Sequence, residues 1–267
     1  SLLSNLTENS NCKFINLNNE KDLSGGESIQ ANLGERRSTI NTVTPKLASE
    51  LNSCLNKIED FDFNVFELDQ LVGKDALLYV ANEIFSSLNF YEDIIDEKCF
   101  RGFVGVIAQG YNRSVTYHND LHATDVLQTT YVIMEKGSVY YRIQLMEIDY
   151  IAVLVASLCH DYKHPGLNNT YHINKRSKYA VKYNDVSVLE NYHVSSAFKV
   201  ISHPSCNIFS DLRVEEYRVI RKRIIECVLA TDMAKHTKSQ TTIKIKLEQF
   251  KNEDNRKNLY NIIHNLS

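Results

Sequence analysis

The chain has 267 residues, of which 43% are hydrophobic and 24% charged, and a formal net charge of −3. Those fractions exclude a wholly disordered chain, and the mildly acidic balance argues against a dedicated nucleic-acid binder. Nine Gly and three Pro are few turn formers for this length, so long helices are expected rather than many short strands. Residues 1–58 are rich in Ser, Asn, Thr and charge, and Ser24-Gly25-Gly26-Glu27-Ser28 is a break. They read as a flexible polar linker or N-terminal arm. The start has no charged segment followed by an apolar one, so no signal peptide is visible, and without a starting Met it reads as a piece of a longer chain. Composition shifts at Phe61-Asp62-Phe63-Asn64-Val65-Phe66.

From there the pattern is helical. Leu77, Val80, Ala81, Ile84 and Leu88 form one apolar stripe, and Phe100, Phe103, Val104 and Ile107 another. Ala123, Val126, Leu127, Thr130 and Ile133 form a third. Residues 145–159 are apolar nearly all round, which predicts a central buried helix; a strand at Ile151–Val155 is the alternative. No apolar run reaches the roughly 18 residues of a membrane span. Val188–Ile201 and Val214–Leu229 are amphipathic with helical spacing. Residues 235–256 are polar with weaker order, and Leu259, Ile262, Ile263 and Leu266 begin a last stripe. The expected architecture is all-α, a multi-helix domain over 59–267.

Six Cys show no C-x-x-C spacing, so reduced thiols in a cytosolic setting are expected. Chemistry concentrates in two His/Asp clusters. In Tyr117-His118-Asn119-Asp120-Leu121-His122-Ala123-Thr124-Asp125, a helix would put His118, His122 and Asp125 on one side. His160-Asp161-Tyr162-Lys163-His164-Pro165-Gly166 follows directly on the buried helix, which Pro165 and Gly166 are expected to stop. Polar groups emerging from a core need satisfying, and a divalent cation does so. A lone His on an apolar face is usually a hydrogen-bonded core residue, but two such clusters beside one buried helix favour a metal site. An Asp can bridge two ions roughly 3.5–4 Å apart, the arrangement that clamps a phosphoryl displacement.

Tyr117-His118-Asn119-x-x-His122-Ala123-x-Asp125-Val126-x-Gln128 and His160-Asp161-x-x-His164-Pro165-Gly166-x-x-Asn169 resemble the paired signatures of class I 3′,5′-cyclic nucleotide phosphodiesterases. Phe66-Glu67-Leu68, Tyr183-Asn184-Asp185-x-Ser187-Val188-Leu189-Glu190-Asn191 and Leu229-Ala230-Thr231-Asp232-Met233-Ala234-Lys235-His236 resemble further family blocks in the family's order. The resemblance implies an all-helical catalytic domain that hydrolyses the 3′ phosphoester of cyclic AMP or cyclic GMP with two divalent metal ions, zinc and magnesium or manganese. It implies His118 as general acid, His122, His160 and Asp161 as ligands of the first metal, and Asp161 also on the second. His164, Glu190 and Thr231 would anchor metal waters, Asp125 would orient the histidines, and Tyr117, Asn169 and Met233 would face the substrate. His172, His193, His203 and His236 read mainly as structural, and Lys163 stands where close relatives often carry Asp.

The family's fourth ligand of the first metal is an Asp near His264-Asn265-Leu266-Ser267, so Ser267 or a later residue would stand there. The 59–267 domain therefore reads as incomplete, lacking the helices that choose the base. The family also implies a cytoplasmic-facing domain with no membrane contact of its own, in a parent chain that is membrane-tethered in some members, and homodimers in others. Another His-Asp-type metal phosphohydrolase, or a non-catalytic module binding a nucleotide or a partner, are the alternatives.

Overall fold

Short polar side chains cap the helices where the apolar stripes begin. The computed structural model describes residues 44–251 except 138, 143 and 144, and a two-residue antiparallel ladder of Phe14–Ile15 (β1) with Leu33–Gly34 (β2). Thr44 accepts the Leu47 N–H and opens α1 (Pro45–Leu55), with Pro45 at a position whose N–H would be orphaned anyway. Asn64 does the same for α2 (Val65–Val72) through the Phe66 and Glu67 N–H groups. After α3 (Ala76–Ser87) and the short α4 (Phe90–Asp93), Asp96 accepts the Cys99 N–H and opens α5 (Glu97–Gly110). Asn119 caps α6 (Asp120–Glu135). The short α7 (Val139–Arg142) leads to α8 (Glu147–Cys159). Beyond it lie α9 (Asn169–Asn174), α10 (Lys178–Tyr183), α11 (Val188–Ile201), α12 (Val214–Ala230) and α13 (His236–Lys251).

α8 is the axis of the bundle. Ile151, Leu154, Val155 and Leu158 have no exposed surface, and the helix packs against α12, α6, α11 and α5. Burying each such side chain stabilises the fold by about 1.5–3 kcal/mol before entropy is counted. The strand alternative at Ile151–Val155 loses to this all-round burial. α3 packs against α6 and α5, with Phe85 and Phe100 in ring contact at 4.2 Å. No helix among the described residues is long and apolar enough to cross a membrane.

Several expectations are corrected. Leu51 and Cys54 of α1 are 2% exposed and belong to the core, so the packed domain begins before residue 58. Residues 236–251 are helical although their polar composition predicts weaker order. In α6 the buried face runs through Leu127, Tyr131 and Val132, while Ile133 is 46% exposed. The polar Gln128 is drawn inward because its amide donates to the Ile58 and Asp60 carbonyls, and this rotates the stripe. α8 ends at Cys159, before Pro165. Lys163 at φ 62° and Gly166 at φ 87° make the turn that follows. The stripe from Leu259 to Leu266 lies outside the described residues.

Candidate metal centre

Two helix ends deliver the site. At the end of α8, the His160 Nδ1–H donates to the Ser157 carbonyl at 2.9 Å, so the neutral ring has its lone pair on Nε2 and the charged ring has a proton there for Asp161. On α6, the Asn119 side chain accepts the Leu121 and His122 N–H groups and sets the first turn, which carries His122. The His160 and His122 Nε2 atoms lie 3.1 Å apart. Asp161 Oδ2 is 3.2 Å from His160 Nε2 and 3.4 Å from His122 Nε2. Ligands about 2.05 Å from a tetrahedral zinc ion lie about 3.3 Å from one another. The three atoms therefore have the spacing of one face of a metal polyhedron, and two imidazoles with a carboxylate are the donor set of a divalent metal site.

The other oxygen of Asp161 faces a second group. Asp161, His164 and His193 also bring their ligand atoms together, with His193 Nε2 3.7 Å from Asp161 Oδ1. His193 is 1% exposed, and its Nδ1–H donates to the Tyr162 carbonyl at 2.7 Å. His164 is fixed in the opposite sense. Its Nδ1 accepts the Gly166 N–H at 3.0 Å, so the neutral ring carries its proton on Nε2 and presents a donor rather than a lone pair.

His118 is not on the helix as expected; it precedes the Asn119 cap. Its ring stacks on His164 at 4.1 Å and meets His122 edge-on at 5.9 Å, so it reaches the cluster from the loop. Arg113 pins that loop: its Nε donates to Asp120 Oδ1 at 2.8 Å, and its Nη2 pairs with Asp69 Oδ1 of α2 at 2.8 Å.

Burial and proximity tune these groups. Burial and the neighbouring His118 push His164 down to about 4, and burial pushes His193 down to about 3 despite the pull of Asp161. Burial also lowers His118. Burial opposes charge on His160 as well, but the Asp161 carboxylate outweighs it and His160 is raised. Asp161 is the mirror case: burial favours its neutral form, yet hydrogen bonds from His122 and His160 hold it far below the usual carboxylate range.

The remaining expected residues divide. Asn169 Nδ2 donates to the Glu190 carboxylate, 2.9 Å from Oε2, and burial raises the Glu190 carboxyl. Tyr117 is 64% exposed, with its ring 4.6 Å from that of His122. Asp125 is exposed and makes no hydrogen bond to the histidines among the described residues. Thr231 is exposed, its hydroxyl donating to the Val228 carbonyl of its own helix, and Met233 is 73% exposed. Ser267 lies outside the described residues. Sequence reasoning left His193 among the structural histidines. Its place one turn after Glu190 on α11 is the local hint, but the partners that bring it into the cluster, Asp161 and the Tyr162 carbonyl, are distant in sequence.

A family model described as 3′5′-cyclic nucleotide phosphodiesterase matches residues 117–266. The chain is 39% identical over 183 residues to a Dictyostelium discoideum protein named 3′,5′-cyclic-AMP phosphodiesterase 4, covering 68% of this chain and 17% of that one. It is 35% identical over 231 residues to the human dual specificity calcium/calmodulin-dependent 3′,5′-cyclic nucleotide phosphodiesterase 1B, covering 85% of this chain and 42% of that one. The chain thus spans less than half the length of these curated relatives. Among solved structures, the phosphodiesterase domain of Salpingoeca rosetta rhodopsin phosphodiesterase superposes with a TM-score of 0.64 at 34% identity, covering 77% of this chain and 61% of that one.

Proposed function

The chain belongs to the 3′5′-cyclic nucleotide phosphodiesterase family, and from that premise we propose that it hydrolyses the 3′ phosphoester of cyclic AMP, cyclic GMP or both to the 5′-nucleotide. The observation that carries the reading is the divided carboxylate of Asp161, with one oxygen toward His122 and His160 and the other toward His193. His122, His160 and Asp161 would hold zinc, and Asp161 would hold magnesium or manganese. When bound, such ions make water a nucleophile near neutral pH and neutralise phosphate charge.

The chain's own residues do the rest. The carbonyls of Ser157 and Tyr162 fix the ring orientations of His160 and His193, so the site's geometry needs little rearrangement on loading. His118 moves a proton from its ring to the departing O3′, and its stacking on His164 holds the ring at the edge of the cluster. The His164 Nε2–H and the Glu190 carboxylate supply a donor and an acceptor for ordered water. Tyr117 and Met233, both exposed, would face the nucleotide, and Thr231, close before Met233 in sequence, would anchor a metal water. A site for a cytoplasmic signalling nucleotide faces the cytoplasm. The relatives' names give a cyclic-AMP enzyme and a dual-specificity one, so either base is compatible.

The test is hydrolysis of both nucleotides by the full-length protein supplied with zinc and magnesium, beside His118→Ala. Wild type should turn over at least one nucleotide, and the variant should lose about 10²–10⁴ in kcat with its metal content intact. Equal rates for the two proteins on both nucleotides overturn the reading.

A further inference from the structure

The first turn of α11 is capped from outside its own neighbourhood. Ser187, the residue before the helix, sits at φ 42° and donates its hydroxyl to Asp232 Oδ2 at 2.7 Å, and its side chain makes no cap bond to the helix. The Leu189 N–H, an orphan donor of that turn, is accepted by Asn169 Oδ1 at 2.9 Å. The same side chain donates Nδ2 to Glu190, 2.9 Å from Oε2 and 3.3 Å from Oε1. Chemistry fixes the amide's orientation, because an N–H requires its oxygen and a carboxylate requires its NH₂. A Glu at the third position of a helix commonly turns back to the cap backbone. Here Asn169 engages it.

We infer that Asn169 is a positioning residue, not a substrate contact: one amide caps α11 and fixes the direction in which the Glu190 carboxylate points. Its oxygen is committed to Leu189 and its nitrogen to Glu190, which leaves the substrate little to bind. Both partners lie on the first turn of α11, one turn before His193, so the amide ties the α9 start to the helix that carries His193 into the cluster. The catalytic consequence rests on the proposed role of Glu190 as an acceptor for ordered water.

Two substitutions separate capping from positioning. Asn169→Asp keeps an oxygen for the Leu189 N–H but has no donor for Glu190, whereas Asn169→Ala loses both. In the full-length protein, Asn169→Asp should unfold within a few degrees of wild type. Its kcat and its half-saturating magnesium concentration should each worsen on the order of 10–100-fold, with the nucleotide KM unchanged. In a Glu190→Ala background, Asn169→Asp should add nothing, since there is no carboxylate left to orient.

Three outcomes overturn the inference. A raised KM with kcat intact, or effects that multiply with Glu190→Ala, make Asn169 a substrate contact. An Asn169→Asp protein like wild type in every respect, beside a destabilised Asn169→Ala, makes it a cap only. If wild type hydrolyses neither nucleotide, the functional reading fails separately. Calorimetric titration with magnesium then decides the positioning: weaker binding to Asn169→Asp supports it and equal binding removes it.

Discussion

The turn after α8 and the segment after α12 match family motifs equally well in sequence, yet they are built differently. In the first, His160 and His164 are buried and each ring is oriented by a backbone group, the Ser157 carbonyl for one and the Gly166 N–H for the other. In the second, Thr231 bonds back to its own helix and Met233 stands 73% exposed, and the segment is tied to α11 by the Ser187–Asp232 bond. The difference is one of preorganisation. The half with the two His/Asp groups is an extension of the core, with its rings oriented by backbone groups. The other half, as far as the described residues go, is exposed surface around Thr231 and Met233.

The strongest way to break that contrast is at Asp161, the carboxylate shared by the two groups. Asp161→Asn keeps the shape and removes the charge. Even partners one layer out from a metal cost 10–100-fold when removed, so this variant should lose more than about a hundredfold in cation affinity and in hydrolysis. Metal content by elemental analysis checks it, and a full complement of cation in the variant would show that Asp161 is not the bridge.

The built half also makes a prediction about the core behind it. A Cβ on Gly110 of α5 would overlap Cε2 of Tyr162, whose ring is 1% exposed and whose carbonyl holds His193. Gly110→Ala should cost about 1–3 kcal/mol of stability through overpacking. That is a fall of roughly 2–4 °C in melting temperature per kcal/mol, read by thermal unfolding. Cation affinity should fall with it, because the ring cannot shift without moving the turn. A stable Gly110→Ala with normal affinity would mean that the turn is not supported from the core.

Much of this was legible in the sequence. The all-round apolar run over 145–159 reads as a central helix, with a strand at Ile151–Val155 as the alternative, and the His/Asp residues at its end have to be either satisfied or functional. Short side chains at Asn64, Asp96 and Asn119 mark helix starts by the chemistry of orphan N–H groups. What escaped reading depends on partners distant in sequence. His193 is a ring on a helix until Asp161 and the Tyr162 carbonyl are placed against it. Gln128 looks like a surface residue of α6 until the Ile58 and Asp60 carbonyls turn it inward. Leu51 and Cys54 sit in a polar stretch whose composition hides one buried face. Asn169 carries a motif position, but its bonds to Leu189 and Glu190 come from a helix that starts far along the chain.

A smaller effect sharpens the comparison through pH. In the unfolded chain His164 and His193 titrate near their ordinary value of 6.5, whereas folded they are held at about 4 and about 3. Asp161, His160 and His164 face His193, and His118, Asp161, His172 and His160 face His164. As pH falls below 6.5 the unfolded state takes up protons that the folded state refuses. Stability present at neutral pH is therefore lost between pH 6.5 and 4. Each refused proton gives a slope approaching about 1.4 kcal/mol per pH unit. His160 is raised by Asp161, the opposite sense, so its contribution is present at low pH and is lost as pH rises rather than as it falls. Chemical denaturation of chelator-treated protein at several pH values measures the effect. A flat profile there would mean that the rings are not held neutral by burial.

The mildest prediction concerns the unbuilt half. Met233 is surface in the free protein, so Met233→Ala removes almost no buried contact, and stability should stay within about 0.5 kcal/mol. If its thioether meets the nucleotide, the variant loses apolar contact in ground state and transition state alike. Such a loss raises KM and leaves kcat unchanged. One partly covered side chain is worth about 1 kcal/mol, so KM should rise about fivefold. The cation complement should not change, because no atom of this segment belongs to either ligand group. A marked fall in melting temperature or in bound metal would erase the distinction between the halves, making the α12 end part of the preorganised site. An unchanged KM would leave the distinction standing and remove Met233 from the nucleotide's path.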